Sequence, residues 1–164
     1  MTKLEIIKSK IYSWKEIQGR AAIWRFKNKK VVFTNGCFDI LHLGHIDYLS
    51  KAADQGEVLI VGLNTDDSVR RLKGDHRPLN DKNARSLVLA SLHFIDAVVL
   101  FDQDTPYELI RLIQPDVLVK GSDYKEDEIV GADIVKQKQG KVVRIDLVPG
   151  YSTSGLEKKI REQS

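Results

Sequence analysis

Cysteine is nearly absent from this chain: Cys37 is the only one among 164 residues, so no disulfide can form within the chain. The lack of disulfides is consistent with a reducing compartment, so we expect a cytoplasmic location. Long hydrophobic runs are also missing, and none approaches the roughly 20 apolar residues that cross a membrane. The first ten residues mix charged and apolar side chains, which is not typical of a secretory signal. We therefore expect no contact with membranes.

Neither sign of charge dominates, because 26 Lys and Arg residues face 23 Asp and Glu residues for a net charge of +3. This balance gives no electrostatic reason to expect a nucleic-acid partner. Metal ligands are also few: one cysteine and four histidines, of which only His42 and His45 are close in sequence. A zinc centre needs three or four protein ligands, so we expect no metal centre and no redox protein.

The length and the 42% hydrophobic content are enough for one domain with a real core. We expect a single domain over residues 1–164, with residues 1–28 as a helical N-terminal extension. Apolar runs alternate with segments of helical spacing, and this alternation is typical of a parallel sheet covered by helices on both faces. The pattern predicts an open, doubly wound, Rossmann-like α/β fold with a five-stranded parallel sheet. Its strands are expected near residues 31–33, 58–63, 97–101, 117–119 and 142–145.

The stretch from Asn35 to His45 leaves the first of these strands and enters a helix. Unpaired backbone N–H groups and the positive end of the helix dipole attract an anion at such a helix start. His42 and His45 add donors beside them, and Gly44 removes a side chain where a ligand would approach the backbone. The alternatives for the two histidines are a helix cap, a satisfied surface position or half of a metal site, and the metal site is disfavoured because the chain offers few further ligands.

A second helix start is predicted at Ser152, Thr153 and Ser154, after the last strand. Hydroxyl groups and free N–H groups at this position can hold phosphate oxygens, although plain N-capping is the alternative. Between the two lies a basic stretch over residues 71–83, which contains Lys73 and is the best candidate for a mobile loop. For an isolated lysine or arginine such as Lys73 or Arg85, a solvated position is the common alternative.

Thr34–Asp39 followed by His42-Leu43-Gly44-His45 resembles the nucleotidyltransferases whose H-x-G-H motif binds nucleotide phosphates. Gly150–Ser154 resembles the second motif of their cytidylyltransferase-like branch, written I-S-T-T or Y-S-T-T. The two motifs lie about 110 residues apart, and each follows a predicted strand and precedes a predicted helix. Residues 64–80 and 116–132 further resemble one subgroup, the D-glycero-D-manno-heptose 1-phosphate adenylyltransferases.

The resemblance implies an enzyme that transfers AMP from ATP to a sugar 1-phosphate, giving ADP-heptose and pyrophosphate for cell-surface polysaccharide. Mg²⁺, held mainly by the nucleotide phosphates, is the implied cofactor. The resemblance implies a homodimer, because relatives of this fold are often dimers. It also implies a separate sugar kinase, because the domain is fused behind a kinase in some bacteria. Other acceptors on the same fold, such as glycerol 3-phosphate with CTP or FMN with ATP, are alternatives. So is a nucleotide-binding module without turnover.

The resemblance also assigns residues to roles, with His42, His45 and Lys73 as the catalytic set. The implied nucleotide-binding residues are Thr34, Asn35, Gly36, Phe38, Gly44, Arg85, Lys120, Gly121, Tyr151, Ser152, Thr153 and Ser154. The implied acceptor-binding residues are Cys37, Asp39 and Asp123, although the aspartates could be turn residues and Cys37 could be small packing. Two positions depart from the subgroup. Ser154 replaces a common threonine, and Ala84 replaces an acidic residue that could orient Arg85.

Overall fold

The computed structural model describes residues 1–163, and within them six strands form one entirely parallel sheet in the order β1-β4-β3-β2-β5-β6. The strands are β1 (Ile11–Tyr12), β2 (Val31–Gly36), β3 (Val58–Asn64), β4 (Ala97–Phe101), β5 (Val117–Gly121) and β6 (Lys141–Ile145). The α/β class and the parallel sheet agree with the prediction, but the expected number of five strands is wrong. The sixth strand, β1, is only two residues long, and so short a segment carries no readable hydrophobic period.

Eight α-helices surround the sheet in the described part of the chain. They are α1 (Lys3–Lys8), α2 (Trp14–Phe26), α3 (Leu43–Ala53), α4 (Asp66–Lys73), α5 (Lys82–Ser91), α6 (Tyr107–Ile113), α7 (Ala132–Gln137) and α8 (Thr153–Gln163), with a 3-10 turn at Glu126–Glu128. Helix α4 lies partly where the sequence indicated a loop. Its caps are nonetheless readable, because Thr65 accepts a hydrogen bond from the N–H of Ser68 and basic residues fill its last turn. The loop predicted over residues 71–83 is thereby reduced to residues 74–81.

Alternate residues of the central strands enter opposite layers of the core. Val31 and Phe33 pack in the layer that contains α2, α6 and α7, whereas Val32 packs in the layer that contains α3 and α5. In β3, Ile60 and Val61 divide in the same way. This two-sided burial explains why these strands are continuous apolar runs.

The N-terminal residues contribute to this core. β1 pairs with β4, and Ile17, Ala21 and Trp24 of α2 are buried. The indole N–H of Trp14 donates to the carbonyl of Leu100 at 2.9 Å. No helix within residues 1–163 is both long enough and apolar enough to span a bilayer.

The strand order reverses at β2, which pairs with β3 on one side and β5 on the other. In an open parallel sheet, ligands bind beyond the carboxyl ends of the strands near this reversal. β2 ends at Gly36 and β5 at Gly121, so the predicted phosphate-binding turn lies at the expected edge of the sheet.

Candidate active site

A cavity of about 630 Å³ opens at this edge of the sheet. Fifteen of the eighteen predicted site residues line it. They are Asn35, Gly36, Cys37, Phe38, His42, Gly44, His45, Lys73, Lys120, Gly121, Asp123, Tyr151, Ser152, Thr153 and Ser154. The three that do not are Thr34, Asp39 and Arg85. The fold therefore brings the two sequence motifs, about 110 residues apart, to one cavity.

The imidazole rings of His42 and His45 stack on each other, with their centroids 3.8 Å apart and their planes 24° apart. The Nδ1 atoms of both rings are buried and have no hydrogen-bond partner within residues 1–163, and neither has the Oδ1 atom of Asn35. Buried polar atoms without partners are rare in folded proteins and call for an explanation. All three residues that carry these atoms line the cavity.

The side chain of His42 does not cap α3. His42 is the N-cap residue, with an extended backbone, but its ring makes no capping hydrogen bond. The helix-cap alternative for His42 is therefore not what the structure shows. The N–H of His45 donates to the carbonyl of His42 at 3.0 Å, so the N–H groups of Leu43 and Gly44 are the ones that could bind an anion at the positive end of the helix.

Phe38 holds the turn before α3 in an unusual shape. Its φ angle of 43° lies in the left-handed region, which costs a non-glycine residue about 1 to 3 kcal/mol. In this conformation its ring meets the ring of His45 edge-on, with centroids 5.3 Å apart. The ring also covers Gly36, where an added Cβ would lie 2.8 Å from it. Gly36 is therefore required by the packing of Phe38, and strain of this kind is typical of functional sites.

Gly44 lies where the two motifs meet. A Cβ at this position would lie 3.0 Å from Cε1 of His42 and 3.3 Å from Cβ of Tyr151. The missing side chain thus lets the segment before α8 approach the start of α3. The sequence assigned Gly44 to ligand approach, and the structure adds this contact between motifs.

Electrostatics favour neutral histidines in the site. Burial, and then the neighbouring His42, lower the pKa of His45 to about 4, and burial also lowers the pKa of His42. Burial lowers the pKa of Lys120, whose Nζ lies 4.9 Å from the ring centre of Tyr124. Burial raises the pKa of Cys37, so its thiol is protonated at neutral pH and packs rather than reacts.

The second motif forms the part of the wall at the start of α8. Ser152 acts as a cap, because its Oγ accepts a hydrogen bond from the N–H of Gly155 at 3.0 Å. In the part of the chain that the structure describes, the hydroxyls of Thr153 and Ser154 make no hydrogen bond to protein. The capping alternative therefore describes Ser152, whereas Thr153 and Ser154 line the cavity without a capping hydrogen bond.

Arg85 is buried beneath the site, and each of the three nitrogens of its guanidinium makes a hydrogen bond to the protein. It donates to the carbonyls of Asn80 at 3.0 Å and Cys37 at 2.7 Å, and pairs with a carboxylate oxygen of Asp66 at 2.7 Å. Asp66 thereby supplies an acidic partner for Arg85 that Ala84 cannot provide. The structure places Arg85 as a brace under the turn at Cys37.

Thr34 and Asp39 also make internal contacts. Thr34 shares the carbonyl of Val119 with the hydroxyl of Tyr48, and the two hydroxyl oxygens are 2.7 Å apart. Asp39 accepts hydrogen bonds from the backbone N–H groups of Leu79 and Asn80, each at 2.8 Å. Sequence spacing could not separate these supporting residues from cavity residues, because their partners are distant in the chain.

Much of the remaining wall was not singled out from the sequence. These lining residues are Tyr48, Asn64, Leu72, Phe101, Asp104, Thr105, Pro106, Tyr124, Glu128, Ile129, Val130, Leu147 and Val148. A usable signal existed, because Asn64 and Phe101 end β3 and β4 and Leu147 closely follows β6. The carboxyl ends of parallel strands meet at one edge of the sheet.

The lowered pKa of His45 predicts a loss of stability in acid. The unfolded chain takes up this proton near pH 6.5, but the folded chain does not until about pH 4. The contribution of neutral His45 is therefore fully present above pH 6.5 and is lost progressively as the pH falls towards 4. Urea unfolding of wild type and of His45→Asn should give a flatter pH dependence between 6.5 and 4 for the variant. Parallel curves would contradict the assigned burial of His45.

Comparison with known proteins agrees with this geometry. The cytidylyltransferase-like family matches residues 33–157. The bifunctional protein HldE of Wolinella succinogenes is 56% identical over 152 residues, which are 93% of this chain and 31% of the relative. HldE of Campylobacter jejuni subsp. jejuni is 57% identical over 136 residues, 83% of this chain and 29% of the relative. The chain thus spans about a third of the length of these curated relatives.

Solved structures give the same result. A lipopolysaccharide core biosynthesis protein from Thermoplasma volcanium superposes with a TM-score of 0.60 and 29% identity, over 73% of this chain and 97% of that one. Pantoate-beta-alanine ligase from Francisella tularensis superposes with a TM-score of 0.58 over 93% of this chain and 77% of that one, and at 16% identity it supports the fold alone. The match over residues 33–157 includes both motifs of the cavity, and it confirms the expected nucleotidyltransferase class: the chain belongs to the cytidylyltransferase-like family.

Proposed function

We propose that this chain transfers AMP from ATP to D-glycero-D-manno-heptose 1-phosphate and releases pyrophosphate and ADP-heptose. The observation that carries the proposal is the single cavity that both phosphate-binding motifs line, with the stacked rings of His42 and His45 in its wall. The similarity to HldE over most of this chain supports the subgroup. The similar Thermoplasma protein is described as acting in lipopolysaccharide core biosynthesis, which agrees with a sugar of the cell surface.

The proposed reaction needs charge stabilisation rather than a strong base. An oxygen of the sugar phosphate attacks the α-phosphorus of ATP, and the bond from that phosphorus to the bridging oxygen of pyrophosphate breaks in line. The phosphate nucleophile is already ionised at neutral pH. Neutral His42 and His45 donate hydrogen bonds to the α- and β-phosphate oxygens, and the start of α8 holds the β- and γ-phosphates. Lys73 and Lys120 supply positive charge at the cavity wall.

Magnesium fits this site as a partner of the nucleotide. No group of three or more His, Cys, Asp and Glu side chains among residues 1–163 is placed to hold a metal ion. Phosphate oxygens of the nucleotide would hold most of the ion, and Asp123 would be the protein carboxylate available to a water molecule bound to it. When bound, the ion neutralises charge on the phosphates.

The acceptor lies towards the polar side chains of the same cavity. Asp123 and Glu128 line it and can accept hydrogen bonds from sugar hydroxyls. The carboxylate of Asp123 folds over Gly121, so a Cβ at that position would collide with it. Cys37 contributes a small apolar surface beside these groups.

An acceptor and nucleotide panel tests the proposal. The purified chain with Mg²⁺ should release pyrophosphate from ATP when D-glycero-D-manno-heptose 1-phosphate is present, and much less from CTP. Turnover with CTP and glycerol 3-phosphate, or with ATP and FMN, would instead support another acceptor on the same fold. Tight ATP binding without pyrophosphate release in the presence of any acceptor would overturn the proposed enzyme activity. It would support a nucleotide-binding module instead.

The remaining expectations concern the cell. A cytoplasmic location, a homodimer and a separate sugar kinase stay predictions. Sedimentation of the purified chain measures its oligomeric state directly, and a dimer is the expected result.

A further inference from the structure

One arginine outside the cavity contacts elements that carry both halves of the phosphate site. Arg77 lies in the connection between α4 and α5, and only 12% of its side chain is exposed. Its Nη1 donates to Oδ2 of Asp39 at 2.9 Å, and its Nη2 donates to Oε2 of Glu157 at 2.5 Å. Asp39 belongs to the turn that leads to His42, and Glu157 belongs to α8. The guanidinium therefore spans the two motifs.

The contact with Asp39 is rigid. The carboxylate of Asp39, 4% exposed, also accepts the backbone N–H groups of Leu79 and Asn80, and the side-chain amide of Asn80 donates to the carbonyl of Asp39 at 2.7 Å. Burial opposes ionisation of Asp39, but these N–H groups and Arg77 outweigh it and lower its pKa. These contacts fix the segment from Arg77 to Asn80 against Asp39. They also orient the guanidinium of Arg77 towards Glu157.

Helix α8 is less enclosed than Asp39. None of its residues is buried, and an exposed helix of 11 residues is marginally stable by itself. Among the ion pairs of residues 1–163, the one between Arg77 and Glu157 joins α8 to another element. The other pairs of α8, Lys158 with Glu162 and Arg161 with Glu157, lie within the helix.

We propose that Arg77 is a positioning residue that sets the placement of the second phosphate motif relative to the histidines by clamping Glu157 onto Asp39. This inference rests on the proposed nucleotide binding at the cavity. An arginine suits the task because its planar fork directs donors to two carboxylates at once, whereas a lysine presents a single point of charge.

The clamp is tested at Glu157, because Glu157→Ala leaves the contacts of Asp39 intact. The matched control is Glu162→Ala, which removes an exposed glutamate paired only within α8. Glu157→Ala should weaken MgATP binding about tenfold by calorimetry, an effect within the range of coupled contacts. Hydrogen exchange should accelerate in residues 151–163 and stay unchanged in the sheet. Glu162→Ala should match wild type in both measurements.

A double variant separates positioning from general damage. Arg77→Gln and Arg77→Gln/Glu157→Ala should weaken MgATP binding equally, because the second change removes a contact already lost. The inference is overturned if Glu157→Ala binds MgATP as Glu162→Ala does, or if exchange rises throughout the sheet along with the loss of binding. A wild-type chain that binds no MgATP contradicts the proposed function instead. Hydrogen exchange still tests the clamp in that case. Faster exchange of α8 in Glu157→Ala than in Glu162→Ala supports it, and equal exchange contradicts it.

Discussion

Replacing His45 by alanine should reduce kcat by about 100- to 1,000-fold, or about 3 to 4 kcal/mol of transition-state stabilisation. The ring of His45 is held between the ring of His42 and the edge of Phe38, so its position is set before the nucleotide binds. A donor that needs no reorganisation contributes most where charge develops during the reaction. The measurement is pyrophosphate release at saturating ATP and sugar phosphate, together with thermal unfolding of the variant.

The matched control is His93→Ala, because His93 is exposed and does not line the cavity. It should leave kcat unchanged. Folded His45→Ala with wild-type kcat would remove this histidine from the mechanism. His45→Gln, which retains an N–H donor of different reach, should fall between wild type and the alanine variant.

Replacing Arg85 by alanine should lower stability by about 3 to 5 kcal/mol, the usual cost of removing one partner from a buried, hydrogen-bonded ion pair. The side chain of Arg85 is fully buried, and its loss leaves the carbonyls of Cys37 and Asn80 without a donor and Asp66 without its cation. At about 2 to 4 °C per kcal/mol for a chain of this size, the melting temperature should fall by about 6 to 20 °C. Arg85→Lys should recover little, because one ammonium group cannot replace three directed contacts.

Arg111→Ala is the control for Arg85→Ala. Arg111 pairs with Glu108 on the exposed surface of α6, so its loss should change stability by less than about 0.5 kcal/mol. The comparison also discriminates between two roles of Arg85. A residue that binds the departing pyrophosphate would lose turnover with little change in melting temperature, and that result would contradict the bracing role that the structure indicates.

The parts of the fold that could be predicted are those with local signals. The continuous apolar run of β3 and the turn that follows Gly36 are readable because burial and turn chemistry act over a few residues. β1 escapes this reading because its two residues gain their strand conformation from pairing with β4, 87 residues later. The end of α4 was predicted as part of the loop over residues 71–83, although the cap at Thr65 and the charge distribution of the helix are readable.

The roles of polar residues were harder to predict than their neighbourhood. Asp39 and Arg85 lie beside the cavity, but each makes its hydrogen bonds to protein groups that are distant in the chain. The link from Arg77 to Asp39 and Glu157 crosses 38 and 80 residues of sequence. Such contacts depend on the three-dimensional arrangement of loops, and no sequence period encodes them.

The proposed chemistry is tested most directly by following the phosphate oxygens of the acceptor. D-glycero-D-manno-heptose 1-phosphate labelled with ¹⁸O in its phosphate group should react with unlabelled ATP and Mg²⁺, with the products analysed by mass spectrometry. Attack of the sugar phosphate on the α-phosphorus keeps every labelled oxygen in ADP-heptose and leaves equimolar pyrophosphate unlabelled. Label in pyrophosphate, release of AMP as a product, or no ADP-heptose at all would contradict adenylyl transfer at this cavity.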